Sequence, residues 1–233
     1  MEHGLQAGQE FGHGSLLARV IDSMVSQLRT PVASIEVAAW MLDAELPEEK
    51  QREFVGIVRR ESHRLDQMLS AVLEFTKPRQ PRFRKLDLAA LVDDVIHLAD
   101  AKDRGPAILF YKHIPADLPR LRGDREQIRQ VLLNLVVNAI QASPGGGPVD
   151  ISARIEGGNV VITVEDHGRG IPETARDRIF EPFFTTNATG LGLGLAVAQR
   201  FVAGHSGRIT VDASSGKGTV ISVSLPVDPA RRE

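Results

Sequence analysis

Asp166-His167-Gly168-Arg169-Gly170 directly follows the strand-like run Val160–Val164. A carboxylate at a strand end can accept a hydrogen bond from the exocyclic amine of a purine, and glycines let the backbone approach a base closely. Alone, Asp-x-Gly-x-Gly is a common turn, so its meaning depends on the flanking sequence. His167 is expected to be incidental, because an unaccompanied histidine rarely forms a metal site.

On the N-terminal side, a helix is predicted near Arg125–Ala142, and it contains Asn134-Leu135-Val136-Val137-Asn138. Residues four apart share a helix face, so both asparagine side chains should project from the same side. Amide oxygens near phosphates suit Mg²⁺, which keeps much of its water and takes few protein ligands. By themselves, two such asparagines are more often ordinary surface residues.

On the C-terminal side lie an aromatic segment and a glycine-rich one. Phe180-Glu181-Pro182-Phe183-Phe184-Thr185-Thr186 opens a polar loop that suits a lid, although core packing would also explain the phenylalanines. Gly190-Leu191-Gly192-Leu193-Gly194-Leu195 runs into a helix, whose N-terminus attracts anions. It is not a Walker A loop, because no Gly-Lys-Ser/Thr follows. Nor is it a Rossmann fingerprint, because no strand leads into it.

Outside these motifs, the hydrophobic pattern predicts helices and strands that do not strictly alternate, as in an α+β sandwich with helices on one face of a mixed sheet. The predicted helices lie near Leu88–Leu98 and Leu193–Ala203. The predicted strands are Ala107–Lys112, Val149–Ile155, Val160–Glu165, Gly207–Asp212 and Gly218–Leu225.

The N-terminal third has two heptad seams, which predict two long antiparallel helices. The first seam is Leu17, Ile21, Met24, Leu28, Pro31, Ile35, Ala38 and Leu42; the second is Phe54, Val58, Glu61, Leu65, Met68, Val72 and Phe75. Such a hairpin has a narrow apolar stripe and no core of its own. Pairing two hairpins into a four-helix bundle would bury both stripes, so we predict a homodimer. The alternative is a hairpin docked on the downstream domain.

Composition limits the partners and the compartment. Lys+Arg 28 against Asp+Glu 30 gives a net charge of −2, so no global charge favours nucleic acid or a membrane surface. There is no cysteine, and no apolar run approaches the roughly 20 residues needed to cross a bilayer. We expect a cytoplasmic protein, or the cytoplasmic part of a longer sensor, with no nucleic acid partner and no membrane contact by this segment.

Taken in order, and with Gly216-Lys217-Gly218-Thr219, the motifs resemble the N, G1, F, G2 and G3 boxes of the GHKL ATP-binding superfamily, in its histidine-kinase branch. Ser26-Gln27-Leu28-Arg29-Thr30-Pro31 resembles the H-box of sensor histidine kinases, usually His-Glu-Leu-Arg-Thr-Pro. Serine therefore stands where the phosphoacceptor histidine is expected, at an outward f position of the first helix, and glutamine replaces the acidic neighbour. The sequence around Gln141-Ala142 and Phe184-Thr185-Thr186 is similar to that of the nitrogen-regulation-like kinases.

The resemblance implies a domain plan. Residues 1–14 would be a linker or cloning remnant, 15–77 the dimerisation hairpin, 78–86 a linker, 87–228 the ATP-binding domain and 229–233 a tail.

It also implies a role for each residue that matches a motif. Asn138 would bind Mg²⁺, with Asn134 beside it near the phosphates, and Asp166 would bind the adenine amino group. Gly168 and Gly170 would shape the pocket, and Gly190, Gly192 and Gly194 would surround the phosphates. Thr185 and Thr186 would lie at the lid and Thr219 near the base, whereas Asn187 replaces a lysine common in that subgroup.

The residues present favour phosphotransfer over hydrolysis but leave the acceptor open. The hydrolytic members resemble one another in a glutamate where this chain has Asn134, which cannot act as a base. Ser26 is a poor acceptor, because its hydroxyl stays protonated at pH 7 and Gln27 can only hydrogen-bond. Among the other histidines, only His63, at a non-seam position of the second helix, is worth testing.

Three hypotheses follow. In the first, the chain is a histidine-kinase-family protein that binds ATP but has lost its phosphoacceptor. In the second, it is a nucleotide-responsive dimeric scaffold, or a phosphatase that uses Thr30, and it acts on a response-regulator receiver domain. In the third, it is a GHKL serine kinase.

Overall fold

The computed structural model describes residues 25–44, 46–76, 80–102, 108–187, 190, 192–213 and 217–228. The predictions for residues 1–14 and 229–233, for the start of the first helix and for Gly216 therefore lie outside the described residues. The chain divides into two compact units between residues 77 and 78. Within the described residues, no helix is both long and apolar enough to cross a membrane.

The first unit contains helix α1, described over residues 25–42, and helix α2, Glu48–Thr76. Two acidic residues in the first turn of α2, Glu48 and Glu49, complement the positive end of the helix dipole. The burial pattern confirms the seams from Leu28 to Leu42 and from Phe54 to Val72, because the seam side chains in these ranges are buried or half-buried. The fully buried ones are Pro31, Ala38 and Met68.

The second unit is a five-stranded mixed sheet with helices packed on it. Its helices are α3 (Leu88–Lys102), α4 (Arg125–Ala142) and α5 (Gly194–Gly204), with a short 3-10 helix at Glu173–Arg178. Its strands are β1 (Arg84–Leu86), β2 (Ile108–His113), β3 (Leu121–Gly123), β4 (Gly147–Glu156), β5 (Asn159–Asp166), β6 (Arg208–Ala213) and β7 (Thr219–Pro226). The sheet order is β2-β4-β5-β7-β6, with only β2–β4 parallel.

Helix α4 is central in the second unit, since it packs against α3, α5, β4 and β5. Its apolar face, including Leu132, Leu135 and Val136, is fully buried against strand residues such as Ile151 and Ile162. This arrangement confirms the predicted fold class, an N-terminal helical region followed by an α/β sandwich of the GHKL type.

A buried polar cluster fixes the start of α4. Asp124 caps the helix by accepting from the N–H groups of its first turn, and its Oδ2 also accepts from the Arg82 N–H at 2.8 Å. The Asp124 N–H donates to His205 Nε2 at 2.9 Å, while His205 Nδ1 lies 2.8 Å from the Phe201 carbonyl oxygen. The Phe83 ring contacts the His205 ring edge-on, at a centroid distance of 5.2 Å. The chain entering the second unit is thereby attached to the first turn of α4.

The predicted linker 78–86 extends three residues too far, because residues 84–86 form β1, which pairs antiparallel with β3 over Leu86↔Leu121. Strands of three residues are too short to show a period of two, so the hydrophobic pattern could not reveal this pair. The other predicted elements of the second unit are present, and α3 continues to Lys102, four residues beyond its predicted end.

Candidate functional site

Asp166 is the last residue of β5, and its side chain is 6% exposed. Sheet register pairs it with Thr219, the first residue of β7. The Gly168 N–H donates to Asp166 Oδ1 at 2.9 Å, which closes the turn after the strand. The structure thus brings Asp166, Gly168 and Thr219 together.

Burial shifts the pKa of this carboxyl group. Desolvation raises the pKa of Asp166 above its usual value, and hydrogen bonds from Gly168 and Thr219 partly oppose the shift by stabilising the carboxylate. A buried acceptor with a raised pKa is typical of a functional site.

Two glycines at this corner have no room for a side chain. A Cβ on Gly168 would overlap the carbonyl oxygen of Ala142 at the end of α4, and the Arg169 N–H donates to that same oxygen at 3.1 Å. A Cβ on Gly218, which has a φ of +87°, would overlap the Asp166 carbonyl oxygen. Helix α4, strand β5 and strand β7 therefore converge on the Asp166 turn. Gly170, two residues beyond Gly168, is buried with a φ of +68°.

Asn134 and Asn138 project from α4, one turn apart. Asn134 Nδ2 donates to the Gly194 carbonyl oxygen at 2.8 Å, so it joins α4 to the first residue of α5. Its Oδ1 accepts from Gln130 Nε2 at 3.1 Å. Asn138 is half-buried and makes no side-chain hydrogen bond within the described part of the chain, so its amide oxygen remains available to a cation.

The aromatic segment and the glycine loop lie against each other. The Phe183 N–H donates to the Gly192 carbonyl oxygen at 2.8 Å, and both residues have a φ of +66°. A Cβ on Gly192 would lie 2.6 Å from the Phe184 carbonyl oxygen. Phe183 itself is buried, so it serves core packing as well.

Further along this loop, Thr185 Oγ1 donates to the Asn187 carbonyl oxygen at 3.1 Å and accepts from the Asn187 N–H at 3.0 Å. The Gly190 N–H donates to the same carbonyl, and Thr186 is exposed. Asn187 Nδ2 donates to Gln141 Oε1 at 3.2 Å, so the loop is attached to α4 one turn after Asn138. The polar loop therefore begins beside the helix that carries both asparagines.

Sequence reasoning missed three contributors to this site. The motif Gly216-Lys217-Gly218-Thr219 predicts no role for Gly218, although its φ value makes glycine necessary there. The Ala142 carbonyl is a backbone group that no side-chain pattern reveals. The Arg178 guanidinium lies 4.3 Å from the centre of the Phe184 ring, a cation–π contact that spacing alone does not predict.

The described residues contain no group of three or more His, Cys, Asp or Glu side chains placed to hold a metal ion. A magnesium ion held by Asn138 and nucleotide phosphates would need no such group, because Mg²⁺ is commonly bound through one or two protein ligands plus phosphates and water. The amide oxygen of Asn138 fits that role.

The H-box-like residues all lie on α1 in the first unit. Ser26, Arg29 and Thr30 are exposed and Gln27 is half-buried, whereas Pro31 is buried. Ser26 therefore points away from the seam, as its predicted f position requires.

Two family models match the chain. Residues 16–81 match the His Kinase A (phospho-acceptor) domain, and residues 123–229 match the histidine kinase-, DNA gyrase B-, and HSP90-like ATPase. The sensor histidine kinase ZraS of Escherichia coli is 33% identical over 220 residues, which is 93% of this chain and 47% of ZraS. The chain spans about a third to a half of the length of the curated relatives it matches.

Solved structures of histidine kinases are also similar to this chain. The catalytic domain of the histidine kinase ThkA is 34% identical, with a TM-score of 0.59 over 65% of this chain and 99% of that domain. ThkA in complex with the response regulator protein TrrA gives a TM-score of 0.83 at 27% identity, over 100% of this chain and 69% of ThkA. Full-length ShkA in complex with AMPPNP gives 0.66 at 26% identity, over 90% of this chain and 45% of ShkA.

The chain belongs to the sensor histidine kinase family, and it combines a His Kinase A region with an ATP-binding domain of the GHKL type.

Proposed function

We propose that this chain is the core of a two-component signalling protein that binds ATP with Mg²⁺ but accepts no phosphate at position 26. The observation that carries the proposal is the contrast between the two units. Asp166, Gly168 and Thr219, which are all expected to bind nucleotide, lie together, whereas α1 exposes a serine hydroxyl that is followed by the neutral Gln27.

We assign the roles residue by residue, with support from the contacts of the second unit. The Asp166 carboxylate would accept from the adenine amino group, because its two oxygens offer about four lone-pair sites and the Gly168 and Thr219 donors occupy only some of them. Gly190, Gly192 and Gly194 would present N–H groups to the phosphates before α5, and Thr185 and Thr186 would close over them. Bound Mg²⁺, held by Asn138, would offset the charge of the β- and γ-phosphates.

Loss of phosphate acceptance at position 26 follows from hydroxyl chemistry. A serine hydroxyl needs an adjacent base to become a nucleophile, and Gln27 cannot act as one. A phosphoserine is also a stable ester, unsuited to onward transfer to an aspartate.

We further propose that the chain acts as a homodimer that binds a response-regulator receiver domain, in the cytoplasm. Apolar side chains flank the seams at Val25, Val32, Val55 and Leu69, and all are exposed in a single protomer. A second hairpin would cover them. A related kinase, ThkA, forms a complex with a response regulator, and the residues around Gln141-Ala142 resemble those of the nitrogen-regulation-like kinases.

Titration calorimetry with ATP and Mg²⁺, together with labelling from [γ-³²P]ATP, tests this proposal. We expect binding, and no alkali-labile phosphoserine label on the wild-type chain or on its Ser26→Ala control. The absence of ATP binding, or a phosphoserine at position 26, would contradict it. The double variant Ser26→His, Gln27→Glu should gain an acid-labile label at position 26.

A second function, phosphatase action on the receiver domain, is favoured by one observation. Thr30 is exposed one turn after Ser26 on the same helix, where its hydroxyl could orient a water molecule. Dephosphorylation of an acetyl-phosphate-labelled receiver domain, compared between wild type and Thr30→Ala, tests this.

A further inference from the structure

Four charged or titratable side chains share the outward face of α2. They are His63, Arg59 and Arg60 one turn before it, and Asp66 one turn after it, and all four residues are exposed. Side chains three and four residues apart on a helix are neighbours. The face they occupy is opposite the seam that contains Val58, Leu65 and Met68.

His63 also lies at nearly the same height in the hairpin as Ser26. Ser26 precedes the last helical residue of α1, residue 42, by about 16 residues, and His63 follows the first residue of α2 by about 15, at about 1.5 Å each. Both residues are thus about 23 Å from the connecting turn. Both occupy the outward position of their own helix, so the second helix presents an imidazole at the level where the first has lost one.

The neighbours of His63 suit a phosphoryl group. Arg59 and Arg60 carry guanidinium groups that match phosphate oxygens in planar, bidentate geometry. Asp66 follows His63 by three residues on the same helix face, and a carboxylate that accepts the N–H of one ring nitrogen would leave the other nitrogen unprotonated as a nucleophile. At Ser26 the next residue is the neutral Gln27, and a serine hydroxyl lacks the nucleophilic nitrogen of an imidazole.

We propose that His63 is the phosphoacceptor of this chain, a proposal that rests on ATP binding by the second unit. The unprotonated imidazole nitrogen attacks the γ-phosphorus and forms an N–P bond. The bond between the γ-phosphorus and the bridging oxygen breaks, and ADP leaves with the electron pair. The proton on the other ring nitrogen passes to Asp66 or to water. The guanidinium groups of Arg59 and Arg60 hold the transferred group.

Incubation of the full chain with [γ-³²P]ATP and Mg²⁺ tests the assignment. Wild type, Ser26→Ala and the matched control His97→Gln, another exposed helical histidine, should acquire acid-labile, base-stable label. His63→Gln should acquire none, while binding ATP with unchanged affinity and keeping its circular dichroism. The double variant Arg59→Ala, Arg60→Ala should label about tenfold more slowly at the same ATP affinity.

The outcomes separate this proposal from the one on which it rests. No label on a wild-type chain that binds ATP refutes the His63 assignment alone, and so does full labelling of His63→Gln or an alkali-labile label on Ser26. Absence of ATP binding refutes the nucleotide proposal and, with it, transfer to His63.

Discussion

Replacing Asp166 by asparagine should weaken ATP binding without weakening the fold. Asp166 Oδ1 accepts from the Gly168 N–H, Thr219 also donates to the carboxylate, and the residue is 6% exposed. If the asparagine oxygen keeps the Gly168 bond, its NH₂ group faces the adenine amine, and two donors meet. Losing one hydrogen bond to a charged acceptor costs about 1.5–3 kcal/mol, which corresponds to about 10- to 150-fold weaker binding.

The stability of the Asp166→Asn variant should not fall with its ATP affinity. Burial raises the pKa of Asp166, so the folded chain favours the protonated carboxyl, and at neutral pH the ionised group carries a desolvation cost. A neutral amide avoids that cost. We therefore expect the urea midpoint of Asp166→Asn at pH 7.5 to equal or exceed that of wild type, while the calorimetric Kd for ATP rises.

The raised pKa of Asp166 also fixes the sign of the pH dependence of stability and of ATP affinity. Because the folded-state pKa is raised, the carboxyl favours folding most below its unfolded-state pKa, and that contribution is lost as pH rises through the folded-state value. Wild-type stability relative to Asp166→Asn should therefore fall as pH rises. ATP affinity should instead rise over that range, because the ionised carboxylate is the stronger acceptor. If Asp166→Asn binds ATP as tightly as wild type, or loses affinity and stability together, the assigned role of Asp166 is wrong.

Three further predictions concern other parts of the second unit. Gly192→Ala should lower the free energy of unfolding by more than the cost of a left-handed residue, about 1–2 kcal/mol, because its Cβ would also crowd the Phe184 carbonyl oxygen. Gly157→Ala, at a position with positive φ and open space, is the control, and urea denaturation is the assay. His205→Phe should cost about 1–3 kcal/mol by the same assay, because the buried Asp124 N–H loses its acceptor; an unchanged midpoint would argue against that bond. Asn138→Ala should reduce calorimetric ATP affinity only when Mg²⁺ is present, and equal losses with EDTA would remove its assigned role.

The long elements of the second unit could be predicted because their patterns are long. Helix α4 has eighteen residues with the apolar face required by the core, and its predicted bounds match the observed ones. By contrast, β1 and β3 pair with each other through a non-local contact that three residues cannot encode in a pattern.

In the candidate site, too, some features could be predicted from the sequence and others could not. Asp166 and the glycines could be found because their residue types are chemically restrictive at those spacings. The bond from Asn134 to the Gly194 carbonyl joins residues 60 positions apart, and sequence spacing carries no information about it. Sequence reasoning gave Asn134 a place near the phosphates, whereas its hydrogen bonds also give it a structural role between two helices.

The contact between Asp124 and His205 also provides a native spectroscopic reporter. For His205 Nε2 to accept from a backbone N–H, the neutral ring must carry its proton on Nδ1, which faces the Phe201 carbonyl oxygen. The two ring nitrogens of this tautomer have well-separated ¹⁵N chemical shifts, unlike the averaged signals of an exposed histidine in rapid exchange. One imidazole spectrum could therefore report, without any label or substitution, whether the chain at Arg82 and Phe83 is still attached to the start of α4 when nucleotide or partner is added.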